Sequence, residues 1–266
     1  MAELHQVILK VDRAKKHIAD LEEGIRQFRD TNPYKVEHRR APQSRKLIYY
    51  VSSVEPTPPN LALIAGDAIQ NLMSALDHLA YQLVLSDSNG NPPNPNWIYF
   101  PIRDTAADYE AKKSGKMEGL LQDTFDIIDT FKPYKGGNDT LWALYKLNNI
   151  EKHRLLITAG GRFRRMNIGP HISATLRKYM KEIDPGTKFE VPDFSLFLKP
   201  ADRLFPLEVG KELFIGAPDE EPNENMQFMF DVALNEPQIL EAKPLLETVR
   251  QMTGIVEDIV SASRPA

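Results

Sequence analysis

Eight apolar residues at the start of this chain, Leu4, Val7, Val11, Ala14, Ile18, Leu21, Ile25 and Phe28, are separated by alternating steps of three and four. That spacing is an a/d seam of about four heptads and predicts one long helix over roughly residues 1–31. The "DTNP" at 30–33 ends it, because a residue before proline disfavours the helical region. A helix with one apolar stripe must bury that stripe against something. Either it belongs to a bundle within the chain, or it forms a coiled-coil-like contact that makes the protein a homodimer through its first helix.

Three more stretches carry helical periodicity, over about 60–86, 105–156 and 243–262. The stretch over 105–156 is broken near "KSGK", and Asn138 or Asp139 caps its last part. Between and after them the texture changes. "YKVEHRR", "KLIYYVSSV", "LLITAGGRFRRM", "TKFEVPDFSLFL", "LFPLEVGKELFI" and "MQFMFDVALNE" are short, aromatic and β-branched, with Gly, Pro and Asp as punctuation. These predict antiparallel strands within about 34–55 and 157–236, with "ISATLRKYMKEI" as a short helix among them. The expected fold is therefore α+β: a helical bundle of about four long helices with an inserted antiparallel β-sheet, in a single domain over 1–266.

Net charge is -4, so any affinity for nucleic acid must come from local groups and not from the whole chain. Two local basic runs exist, "RFRR" at 162–165 and "HRRAPQSRK" at 38–46. The absence of cysteine excludes disulfides, thiolate nucleophiles and cysteine-ligated zinc or iron–sulfur centres. No apolar run approaches the roughly 18–20 residues that span a bilayer, and the charged first residues are not a secretory signal. A cytoplasmic protein that does not meet the membrane is expected.

The second predicted helix holds the most informative chemistry. "IAGDAIQNLMSALDHLAYQL", residues 64–83, contains no Lys, Arg or Glu. At 100° per residue, Asp67, Asn71, Ser74 and His78 share one face, flanked by Gln70 and Asp77. Ala65, Ile69, Leu72, Leu76, Leu79 and Leu83 form the opposite, core-facing stripe. Short polar side chains in place of long charged ones suit a semi-buried polar site better than a solvated surface. In "LYKLNNIEKHRLL", Lys146, Asn149 and His153 share a helix face, and Lys152 and Arg154 flank His153. If the two helices pack together, His78 and His153 could divide acid and base roles, with Asp77 or Asp67 orienting His78. Lys152 and Arg154 would then supply positive charge for a phosphate, with Asp67, Asn71, Ser74 and Asn149 as the other binding residues.

Two histidines with Asp67, Asp77 and Glu151 could also ligate a metal, which gives a metal-dependent hydrolase as one alternative. No HExxH, ExxH or HxH spacing accompanies them, and phosphate-loop, dinucleotide and GxSxG patterns are absent. No metal site and no cofactor are therefore assigned. A non-enzymatic helical binding or interaction protein, in which the polar face only fixes helix register or contacts a ligand, is the other alternative.

The stretch "GDAIQNLMSALDHLAYQL", followed by "FPI", "PY" and "NNIEKHRLL", resembles a widespread bacterial family. Its members carry a pattern similar to Gly-Asp-x-x-x-Asn-Leu-Arg-Ser-Ala-Leu-Asp-His and, later, Asn-x-x-Lys-His-Arg. Residues 66–78 and 149–154 carry the likeness, and no activity transfers with it. Arginine, four residues and histidine on a bundle helix also resembles the RNase motif of the HEPN superfamily. Those are helical, often dimeric proteins, frequently toxins or phage-defence nucleases, that cleave RNA without metal through its 2′-hydroxyl. That resemblance implies an RNA-cleaving or nucleotide- or RNA-binding function, with His78 in the histidine position. Where both patterns carry arginine this chain has Met73.

Overall fold

A computed structural model describes residues 4–153, 159–186, 190–200, 204–236 and 238–263, except for the side chains of Lys152 and His153. Its contacts divide the chain into two compact units. The helical unit comprises Met1–Gln27, Pro58–Ala159 and Leu234–Ala266, and the sheet unit comprises Phe28–Thr57 and Gly160–Ala233. The fold is mixed α and β, as expected from the sequence.

In the helical unit, α1 (His5–Asp30), α2 (Pro59–Asp87), α5 (Asp139–His153) and α7 (Leu245–Ala262) are the longest helices. The shorter α3 (Ala106–Lys116) and α4 (Gln122–Thr130) lie between α2 and α5, broken apart after "KSGK". Seven of the eight seam residues of α1, from Val7 to Phe28, are buried within the chain. Arg250 of α7 meets Glu22 of α1 at 2.5 Å, and Lys15 pairs with Glu257 beside it. The apolar stripe that could have served a dimer is thus covered by the chain itself.

α2 packs on both α5 and α7. Its buried residues extend beyond the predicted stripe to Ala62, Gly66, Met73, Ala75, Ala80 and Val84. A helix with apolar residues around so much of its circumference is enclosed on more than one side. Pro58 precedes its first turn, with Pro59 at a position where the missing N–H costs nothing. Asn138 caps α5 as expected, its Oδ1 accepting the Leu141 N–H at 3.0 Å.

In the sheet unit, β1 (Tyr34–Arg40) and β2 (Lys46–Val54) form an antiparallel hairpin, with Tyr34 opposite Val54 and Arg40 opposite Leu47. β5 (Glu212–Pro218) completes a three-stranded sheet in the order β1-β2-β5. A second sheet has the order β4-β3-β6-β7, with β3 (Ala159–Asn167), β4 (Phe197–Leu198), β6 (Gln227–Glu236) and β7 (Leu240–Pro244). β6 runs out of the sheet unit at its end and leads into β7. The predicted helix after β3 is α6 (Gly169–Ile183). Tyr34, Phe163, Phe228 and Phe230 make an aromatic cluster, with Tyr34 and Phe230 centroids 5.1 Å apart.

Candidate functional site

The predicted polar face of α2 is present, and it divides into two parts along the helix. Asp67 and Gln70 are exposed, while Asn71, Ser74, Asp77 and His78 are half-buried. Asn71 turns back on its own helix, its Nδ2 donating to the Asp67 carbonyl at 2.8 Å. Asp77 accepts the backbone N–H of Phe100 on Oδ1 at 3.1 Å. That bond holds the "WIYFPI" segment, whose Ile98, Phe100 and Ile102 are buried. A carboxylate that satisfies a backbone N–H is a structural pin, since leaving that donor unmet in a part-buried place is costly.

His78 faces a cavity of about 300 Å³, lined also by Gln6, Asp77, Tyr81, Gln82 and Ile98. Gln6 enters from the first turn of α1, and Tyr81 and Gln82 follow His78 by three and four residues on α2. His78, Tyr81 and Gln6 make no hydrogen bond or ion pair with any described residue. The cavity therefore offers an imidazole, a phenol and an amide whose hydrogen-bonding capacity is open to a ligand. Asp77 is its one formally charged group. Gln6, Tyr81, Gln82 and Ile98 were not singled out from the sequence. Tyr81 and Gln82 could have been, because the i+3 and i+4 positions from His78 must neighbour it. Gln6 and Ile98 come from other elements and leave no local signal.

The second part of the face meets the end of α5. A Cβ added to Gly66 would stand 2.7 Å from the carboxylate carbon of Glu151, so glycine at 66 lets the last turn of α5 close on α2. From Gly66 to His78 the helix rises about 18 Å, at ~1.5 Å per residue. The backbone of the last turn of α5 thus lies level with Gly66 and Asp67, one end of the face, and His78 lies towards the other. Asn149 is half-buried on that turn. The side chains of Lys152 and His153, and the whole of Arg154, lie outside the described residues. Met73 is 4% exposed and belongs to the core.

Among the described residues, no three His, Asp or Glu side chains come together in a group able to hold a metal ion. Five arginines of the two basic runs are engaged inside the sheet unit, and Arg162 has its Nε buried. Arg39 and Arg45 bond Glu212 and Asp219 at 2.9 and 2.5 Å, and Arg40 stands 3.6 Å from Glu221. Arg164 pairs with Asp231 at 3.4 Å, and Arg165 lies 4.1 Å over the Phe197 ring. Cations so engaged are weak candidates for a phosphate backbone.

The sheet unit has a polar constellation that sequence reading did not find. His171, in the first turn of α6, has Nε2 2.7 Å from Glu220 Oε1, with side chains 16% and 17% exposed. The other Glu220 oxygen accepts the Ala217 N–H at 2.6 Å. Both residues line a cleft of about 1150 Å³ between α6 and the segment after β5.

No helix among the described residues is long and apolar enough to cross a membrane. No family model matches this chain, and no curated protein and no solved structure matches it.

Proposed function

We propose that this protein binds a nucleotide or a short single-stranded stretch of RNA through the α2 cavity, and does not cleave it. The observation that carries this reading is the lining of that cavity: His78, Tyr81 and Gln6 have no partner among the described residues and surround a space of about 300 Å³. That volume is at the lower end for ligand pockets and ample for one nucleobase. Amide side chains match the paired donors and acceptors of a base edge, and a tyrosine ring offers a stacking surface to an unpaired base. Asp67, Asn71 and Ser74 continue the same face towards the last turn of α5, where Asn149 would contact the backbone of a longer strand, and Lys152 and Arg154, next in sequence, are the cations proposed for its phosphates. In this reading α1, α2, α5 and α7 act as a four-helix bundle that presents the face, in the cytoplasm.

Binding without cleavage fits better than the HEPN-like ribonuclease reading for two reasons. Cleavage needs an acid and a base within a few ångströms of the reacting 2′-hydroxyl and leaving oxygen. Asp77 is committed to the Phe100 N–H, and the Glu151 carboxylate of the last turn of α5 meets α2 at Gly66, about 18 Å of helix rise from His78. The test is a binding titration of fluorescently labelled single-stranded RNA, with parallel gels of the same samples. Wild type should bind and leave the RNA intact, and Tyr81→Ala and His78→Ala should each weaken binding by about tenfold, the scale of one base stack. Equal binding by all three proteins would refute the cavity as the site.

A further inference from the structure

We infer that a second cavity in the helical unit is a binding site for a compact phosphate-bearing anion, a phosphomonoester or a pyrophosphate. It has a volume of about 320 Å³. Its wall combines Lys135, Asp139 and Trp142 with Gln238, Lys243 and Gln251, so it brings the loop before α5 against β7 and α7. The inference does not depend on the base-binding reading of the α2 cavity.

The loop "KPYKGGND" is built to hold Lys135 in place. Gly136 has φ +83°, a conformation that L side chains rarely adopt. A Cβ on Gly137 would stand 2.6 Å from the Tyr134 ring and 2.7 Å from the Lys132 carbonyl oxygen. Gly136 N–H donates to Asp139 Oδ1 at 2.7 Å, and Gly137 and Asn138 N–H both donate to the Tyr134 carbonyl at 3.0 Å. The result sets Lys135 Nζ 4.5 Å from the centroid of the Trp142 ring. Across the cavity, β7 is bent by Ala242 at φ +56°, directly before Lys243.

The charge balance points to an anion. Neither Lys135 nor Lys243 forms an ion pair within 4 Å of a described carboxylate, and Lys135 interacts with Asp104 only at longer range. Asp104, the nearest strong carboxylate partner for the tryptophan edge, already accepts the Trp142 indole N–H at 2.8 Å and holds Lys146 at 2.7 Å. Asp139 is the one carboxylate in the cavity wall, and one of its oxygens is held by Gly136. Two ammonium groups with neutral amides beside them suit a phosphate, which can take several donors at once. The small volume excludes a long polyanion in favour of a single phosphorylated group.

The chain has two tryptophans, so Trp97→Phe leaves Trp142 as the sole reporter. Trp97 is 65% exposed and stands outside this wall. In that background, titration with sodium pyrophosphate at constant ionic strength should change Trp142 fluorescence saturably, and sodium chloride should not. Lys243→Ala should raise the apparent dissociation constant at least about tenfold, and Lys243→Arg should stay within about threefold of the parent. Tyr81→Ala should leave this titration unchanged, which separates it from the α2 cavity. A linear or absent response to pyrophosphate, or a Lys243→Ala variant that binds as the parent does, would overturn the assignment.

Discussion

The helical and sheet units each hold a half-buried histidine, and they hold it in opposite ways. In the sheet unit His171 is fixed by Glu220, whose carboxylate is fixed in turn by the Ala217 N–H. In the helical unit His78 has no partner among the described residues, and its neighbour in sequence, Asp77, is turned to the backbone of another segment. A side chain already engaged by its own protein does structural work. One left open at a cavity is available to something else. The difference also shows that a carboxylate next to a histidine in sequence is poor evidence of a pair, because residues i and i+1 on a helix do not face each other.

The strongest way to break this comparison is to probe how rigidly each unit is packed. Gly169, at the start of α6, has no room for a side chain: a Cβ there would run into the backbone carbonyl of Phe194. Gly169→Ala should cost about 3–5 kcal/mol, since backbone must move to admit it. Gly66→Ala meets only the far end of Glu151, which can shift, and should cost about 1 kcal/mol. Thermal unfolding of the two variants measures both, and equal losses would show that the packing of α2 on α5 is as unforgiving as that of α6.

A smaller effect sharpens the contrast between the histidines. Glu220→Ala leaves the Ala217 N–H without its acceptor and removes the carboxylate beside His171, and should destabilise by about 1–3 kcal/mol. His78→Ala removes no internal bond and should stay within about 0.5 kcal/mol of wild type. Chemical denaturation reads both, and a large loss in His78→Ala would make His78 a structural residue.

The smallest expected effect is electrostatic. Lys146, with the Trp142 indole N–H, holds the Asp104 carboxyl below the usual carboxylate range. A depressed carboxyl contributes stability above its unfolded pKa near 4 and loses it as pH falls through the folded value. Asp104→Asn should therefore be less stable than wild type at pH 7, and the gap should close below pH 4. A gap that persists at pH 2 would place the effect in packing and not in charge.

Much of the helical unit was legible because its signals are local. The α1 seam, the two faces of α2, the Asn138 cap and the break after "KSGK" all rest on spacing within a few residues. The sheet unit was harder to read. Among the described residues of "TKFEVPDFSLFL" only Phe197–Leu198 is strand, and β7, whose "LEAKP" has no β-branched or aromatic residue, was not expected. Strand pairing is decided by partners distant in sequence, and a short edge strand carries little of that in its own residues. The site followed the same rule. His78 was legible from the face it shares with Asn71 and Ser74. Gln6, Ile98, the Asp77–Phe100 bond and the His171–Glu220 pair were not, because each joins separate elements. Met73 was legible as a departure, and its burial gives the physical reason why a charge does not sit there.

The central claim is that His78 serves binding and not cleavage. The most direct measurement incubates end-labelled single-stranded RNA with wild type and with His78→Ala, and reads bound fraction and chain length from the same samples. The account predicts bound, full-length RNA with wild type and weaker binding with the variant. Shortened RNA with wild type and intact RNA with His78→Ala would contradict it.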